Sequence, residues 1–267
     1  SVTWCLEVLS IEGPSVIVNG SVPLVVLDCD YDLASEQDKK GFVLKWYYNR
    51  QPFPVYQWIP PNEPQDLRLL KGRLDKQYAV SDDEYKKHRA LAIRNPTTDL
   101  SGEYTCWISS FESEDFKRKS IIVYSPVTEM SLTWSRLASG IIMINCNAGG
   151  IFPEPEVSII RSGATDPQTD AITSERLVLE GVNVQTVKFA ETSFYNVSAQ
   201  LQIFDHDLSE ETMFECIITI PKTEYQVREQ MLYYPGLPSM RSSVSSGESL
   251  LIYTPLLIAA AGFNQFF

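Results

Sequence analysis

Apolar residues in this chain fall in short runs spaced eight to twelve residues apart, with Gly, Pro, Asn and Ser between them. Within a run the apolar side chains alternate with polar ones, which is the period of a strand with one face on a core. In the first half this pattern predicts strands over 22–30, 42–48, 54–59, 90–94, 102–109 and 119–124. Val25, Leu27 and Cys29 share a phase, as do Leu44, Trp46 and Tyr48, and Leu91 and Ile93. In the second half it predicts strands over 141–145, 156–161, 198–204, 213–220 and 225–234. No helical period of any length precedes residue 250.

The two halves share one plan. Leu91 and Ile93 stand 15 and 13 residues before Cys106, and Leu201 and Ile203 stand at the same distances before Cys216. A repeated offset of this kind marks a duplicated structural unit. With 267 residues there is room for two domains, each with its own core. Evenly spaced strands without helices predict an all-β chain of two sandwiches, joined near Tyr124-Ser125-Pro126-Val127 in a short, stiff elbow.

The cysteines sharpen this picture. Cys29 and Cys106 are 77 residues apart, and Cys146 and Cys216 are 70 apart, so each pair brackets about one domain. There is no CxxC, and the two histidines, His88 and His206, are distant, so a structural metal has almost no ligands. Two disulfides in an oxidising compartment are the reading that remains. The tripeptides Asn19-Gly-Ser and Asn196-Val-Ser are acceptor sequences for N-glycans, which belong to the same compartment.

The ends are read the same way. Residues 1–5, with Cys5, read as a signal-peptide remnant, and 236–249 as a Ser-rich polar spacer. Residues 250–267 carry no charge, and with that spacer they match a GPI-attachment signal better than a spanning helix, because the run is short and holds Pro255. The expectation is a protein on the outer face of the plasma membrane.

The net charge is −12, with 15 basic against 18 acidic residues in 1–125 and 7 against 16 in 126–267. Such a chain repels phosphate backbones, which excludes nucleic acid as a partner. The basic runs Lys86-Lys87-His88-Arg89 and Lys117-Arg118-Lys119 read as solvated edges, with a glycosaminoglycan site as the second reading.

Trp46 lies 17 residues after Cys29, and the first unit closes on Ser101-Gly-Glu-Tyr104-Thr-Cys106. A strand tryptophan over an inter-sheet disulfide, with a tyrosine two residues before the second cysteine, resembles the immunoglobulin superfamily. The acid that family carries six residues before the cysteine is replaced by Leu100, with Asp99 one place early, which argues against the usual ion pair at the base of the sheet. The second unit has Ile159 and Ile160 near the tryptophan position and Phe214 at the tyrosine position. Its Gly150-Ile-Phe-Pro153-Glu-Pro155 stretch resembles the B–C region of constant-like domains. The resemblance implies a V-like domain over 6–125 and a divergent constant-like domain over 126–235.

At a finer level, Cys29-Asp-Tyr-Asp-Leu33 followed by Leu44-Lys-Trp-Tyr47 resembles the insect beaten-path family. That resemblance implies a neuronal surface receptor in axon guidance that binds another immunoglobulin-superfamily protein. The alternatives are a homophilic adhesion molecule and a secreted modulator.

Alternation nominates a site. If Trp46, Tyr104 and Cys106 face inward, then Lys45, Tyr47, Thr105 and Trp107 face outward, bordered by Tyr56 or Trp58 from the next strand. Exposed aromatics of this kind are enriched in interface hot spots. Residues 110–115, with Phe111, Glu112, Glu114 and Asp115, form the adjoining recognition loop. No nucleophile elbow, zinc-protease helix, phosphate loop or dinucleotide fingerprint occurs. His88 is placed in an exposed charged run and His206 in a turn, so neither is offered as a base. The expectation is a binding protein without catalytic residues, cofactor or metal.

Overall fold

The computed structural model describes residues 6–137, 140–163, 177–208 and 211–236. Cys5, residues 1–4 and the stretch 237–267 lie outside them, as does the expected anchor. Among the described residues no helix is long and apolar enough to cross a membrane.

The first half builds nine strands: β1 (Glu7–Glu12), β2 (Val16–Val18), β3 (Leu24–Asp32), β4 (Val43–Tyr48), β5 (Tyr56–Trp58), β6 (Gln65–Asp66), β7 (Leu91–Arg94), β8 (Gly102–Ser109) and β9 (Glu114–Tyr124). They form one sheet in the order β1-β3-β7 and a second in the order β2-β9-β8-β4-β5-β6. The amino-terminal segment serves both sheets. β1 runs antiparallel to β3, the chain turns at Gly13, and β2 then runs parallel to β9. Gly13 has φ +127°, and a Cβ there would stand 2.3 Å from the Val26 carbonyl oxygen, so the crossing needs glycine.

The alternating residues meet between the sheets. Val25, Leu27, Cys29, Leu91 and Ile93 come from one side, and Leu44, Trp46, Tyr104, Cys106 and Ile108 from the other. The Cys29–Cys106 disulfide spans the layers. Trp46 lies directly opposite Cys106 in the β4–β8 ladder, and its indole N–H donates to the Arg89 carbonyl at 3.2 Å. The buried Tyr104 hydroxyl donates to the Leu100 carbonyl at 3.0 Å, which fixes the corner before β8. Tyr104→Phe leaves that buried carbonyl without its donor. A loss of about 1 kcal/mol in urea unfolding is expected, and a loss near zero would mean the corner is held by packing alone.

The ion pair that Leu100 argues against is nevertheless made. Asp99 takes the place of an acid at position 100 and reaches Arg73 at 2.7 Å, while Leu100 turns fully into the core. The short 3-10 turn at Thr98–Leu100 supplies the rotation that makes both placements compatible. Tyr48, read in phase with Leu44 and Trp46, is only half-buried, because its hydroxyl reaches out to the Ser101 carbonyl at 2.6 Å.

The second half builds β10 (Glu129–Arg136), β11 (Ile141–Ile151), β12 (Glu156–Gly163), β13 (Leu177–Val178), β14 (Asn183–Lys188), β15 (Tyr195–Phe204), β16 (Thr212–Thr219) and β17 (Gln226–Tyr233). Its sheets run β10-β11-β15-β14 and β13-β12-β16-β17, bridged by Cys146–Cys216. Ile159 opposes Cys216 just as Trp46 opposes Cys106, so it is the tryptophan's counterpart, while Ile160 faces the other side of the strand. Aromatic packing moves elsewhere: Tyr233 meets Trp134 at 4.9 Å and Phe214 at 6.3 Å between ring centroids. Phe214 has no hydroxyl to close a corner, and the Tyr233 hydroxyl donates instead to Asp205, which pairs with Arg136 at 3.1 Å.

The connection is tied to the second core. Ser125 and Phe152 exchange backbone hydrogen bonds at 2.9 and 3.2 Å. The Val127 N–H donates to the Tyr225 hydroxyl at 3.0 Å, and the Tyr124 and Tyr225 rings lie 5.5 Å apart.

Candidate functional site

The outward side of β9, β8 and β4 carries a connected set of aromatic and cationic side chains. In the ladder, Trp107 lies between Phe116 on β9 and Lys45 on β4, and Thr105 lies between Arg118 and Tyr47. Cross-strand neighbours on one face are the contacts a sheet brings together. The Tyr47 and Trp107 rings meet edge to face at 6.5 Å and 81°. The Lys45 ammonium sits 5.1 Å from the Trp107 ring centre, and the Arg118 guanidinium 4.7 Å from that of Phe116. Both are within the range of cation–π attraction. Glu103 anchors the lower end, pairing with Arg50 at 2.9 Å and lying 3.6 Å from Arg118.

The cations lie over the ring faces, and apolar area is left in the open. Phe116 is 45% exposed, while Trp107, Tyr47 and Lys45 are half-buried. Burial, then the charge of Glu114, hold the Tyr47 hydroxyl above its ordinary pKa, so it is a neutral donor at any physiological pH.

Two expected members do not belong to this face. Tyr56 and Trp58 are each 2% exposed and lie in the core. The β4–β5 register sets Tyr56 opposite Trp46 and Trp58 opposite Leu44, so both share the inward phase. Their polar atoms are spent internally: the Tyr56 hydroxyl on the His88 carbonyl at 2.6 Å, and the Trp58 indole on the Asn62 carbonyl at 3.1 Å. The third aromatic of the face is Phe116, on the opposite neighbouring strand. Its signal in the sequence is its place just before the basic run 117–119.

Phe111 is 83% exposed in the β8–β9 turn. Its N–H donates to the Lys40 carbonyl at 3.1 Å. Its ring lies over Gly41, where a Cβ would come within 2.3 Å of it. The turn is therefore tight, and it ends sooner than 110–115 implied. Glu114 opens β9, and Asp115 accepts the Val8 N–H at 2.8 Å.

The basic run 86–89 does not lie open. His88 is 8% exposed, with its ring edge on Trp58 and Nδ1 3.1 Å from the Tyr78 carbonyl. Arg89 turns inward to Asp28 at 2.8 Å and to Asp30. Two of the four side chains of this run are thus committed to the fold. In the second run Lys117 donates to the Leu9 carbonyl at 2.6 Å, and Arg118 belongs to the aromatic face. His206 is exposed beside Asp207, 3.4 Å away. Among the described residues no cluster of His, Cys, Asp or Glu could hold a metal ion.

In the first half, strands β5 and β6 extend the sheet of β9, β8 and β4, as in a variable-type sandwich. In the second half the four-stranded β10-β11-β15-β14 sheet faces β12-β16-β17 with the short β13 added, the plan of a constant-type one. A solved structure of bovine butyrophilin superposes on 88% of this chain and 99% of its own, with a TM-score of 0.60 and 18% identity. The fold is immunoglobulin-like in both halves. A structure of Rst D1-D2 also matches these immunoglobulin-like sandwiches, over 85% of this chain and 98% of its own, with a TM-score of 0.50 and 15% identity. No protein-family model matches the chain, and no curated protein matches it. At these identities the likeness of the immunoglobulin-like pair is one of fold.

Proposed function

We propose that this chain is a cell-surface recognition protein that binds another extracellular protein through the outer face of β9, β8 and β4. The observation that carries this reading is the half-exposed row of Phe116, Trp107 and Tyr47, with Arg118 and Lys45 held against the rings. Exposed aromatics with arginine beside them are the composition of interface hot spots. The fold hosts many functions, so this face, and not the fold, supports the reading. Two disulfides and two acceptor sequences for glycan favour an extracellular setting. The Cys29-to-Leu33 and Leu44-to-Tyr47 motifs favour an immunoglobulin-superfamily ligand and a role of the beaten-path type in axon guidance. The spacer and apolar tail favour a GPI anchor, which a phosphatidylinositol-specific phospholipase would release from cells.

The test is a screen of the ectodomain against a panel of recombinant extracellular immunoglobulin-domain proteins, followed by Trp107→Asp and Phe116→Asp on each partner found. Each variant is expected to weaken binding about 100-fold, the scale of a hot-spot loss. Urea unfolding should move by no more than about 1–2 kcal/mol, since neither side chain is in the core and the loss is confined to ring contacts on the face and to the low strand preference of aspartate. Partners that bind both variants at full strength would overturn the assignment of this face.

A further inference from the structure

The outer face of the β10-β11-β15-β14 sheet leaves an apolar strip facing solvent. Val187 is 56% exposed and Phe189 47% exposed, and Phe194 is half-buried. Val187 opposes Asn196 in the β14–β15 ladder, and the Phe189 N–H donates to the Phe194 carbonyl at 2.9 Å, prolonging that ladder. Alternation then puts Val187, Phe189, Phe194 and Asn196 on one face, opposite the buried Val197 and Ala199.

Asn196 opens the tripeptide Asn-Val-Ser. Its side chain is held by a device built into β11. The β11–β15 register slips between Ala148 and Ile151, a bulge made by Gly149 and Gly150. The Gly150 N–H, freed from the ladder, donates to Asn196 Oδ1 at 3.2 Å. A Cβ at Gly149 would stand 2.8 Å from that same oxygen, so glycine keeps the amide's seat open. With Oδ1 fixed on the bulge, Nδ2 is the amide atom left for the groove beside it. That groove is lined by Glu129, Ser131, Gln185 and Ser198, all groups that hydrogen-bond to hydroxyls.

We propose that Asn196 carries an N-linked glycan whose first N-acetylglucosamine lies across Val187 and Phe194 and covers the apolar strip. In the coupling step Nδ2 gives up a proton and bonds to the sugar C1. The C1–O bond to the diphosphate of a lipid-linked oligosaccharide donor breaks, and the lipid diphosphate leaves. The donor and its transferase belong to the secretory pathway. The sugar's C–H face then meets the aromatic ring of Phe194, whose face carries the complementary partial charge. Its hydroxyls meet the polar lining. A covered strip of this kind no longer invites another chain.

The experiment uses the full chain secreted from a glycosylating host. Peptide mass mapping is expected to find glycan on Asn196 in the wild type and in Ser198→Thr, and none in Ser198→Ala. Ser198→Ala leaves the Asn196–Gly150 bond intact, so its folding is a fair control. Trimming the glycan to one N-acetylglucosamine should keep the wild-type Tm, and Ser198→Ala should lower it by about 4 °C. An unmodified Asn196 would overturn the proposal, and so would a glycan whose loss leaves Tm unchanged. Binding through Trp107 should survive in Ser198→Ala, which keeps this test separate from the recognition face.

Discussion

A chain with Cys29 and Cys106 both changed to alanine is expected to lose about 4 kcal/mol of stability in its first sandwich. The bridge closes 77 residues, and a loop of that size removes entropy of this order from the unfolded chain. The second bridge closes 70, so Cys146→Ala with Cys216→Ala should cost nearly the same on chain entropy alone. Their surroundings differ, because the first packs against the Trp46 strand position and the second against Ile159. A gap that opens against an indole is harder to collapse than one beside an isoleucine, so the first pair should be the costlier. Urea unfolding is followed by tryptophan fluorescence, to which Trp46, Trp58 and Trp107 contribute from the first sandwich and Trp134 from the second; replacing Trp134 by phenylalanine confines the signal of the described residues to the first. A loss below about 1 kcal/mol for either pair would mean that packing alone holds the two sheets together.

Arg89→Met is expected to cost about 3 kcal/mol, more than an ordinary surface ion pair. Arg89 is 13% exposed by its side chain and stands between Asp28, 20% exposed, and Asp30, 37% exposed. Burial alone would lower its pKa, but the bonds and charges of the two aspartates outweigh that and raise it, so the guanidinium stays charged. Methionine would leave two neighbouring carboxylates half out of water with no cation between them. Adding Asp28→Asn and Asp30→Asn removes the uncompensated charge, and most of the loss should return. If Arg89→Met alone unfolds at the wild-type urea concentration, the network contributes nothing. If the triple variant is no better than the single one, the cost lies in lost packing of the arginine stem.

The sequence reading succeeds where one side chain decides the environment of a whole strand. Cys29, Trp46, Tyr104 and Cys106 each sit in the middle of an alternating run, and their phase places Lys45, Tyr47 and Trp107 on the outer face, where Thr105 is also turned but covered by its neighbours. It fails at short and marginal elements. β5 holds three residues, too few to reveal a phase, so Tyr56 and Trp58 became known as core residues only through the register with β4. β1 and β14 are edge strands whose side chains alternate weakly, so little in their composition separates them from loops, whereas β10 carries a clear strand signal, Met130, Leu132 and Trp134 alternating with polar residues, that the expected set leaves out. His88 lies among charged neighbours and looks solvated, yet a distant tryptophan and carbonyl bury it. Phe116 is hidden in the sequence because the cations after it set the character of the stretch, although its partner across the ladder, Trp107, is expected to face outward.

The parallel pairing of β2 with β9 bears on how the first sandwich responds to mechanical load. Val16–Val18 follows the entering strand, and Ile122–Tyr124 is the stretch from which the chain leaves. Tension applied between these two ends slides one strand lengthwise against the other. The linking amide bonds then resist together, where an antiparallel hairpin would peel apart one bond after another. A domain pulled at its two ends gains from being fastened in shear.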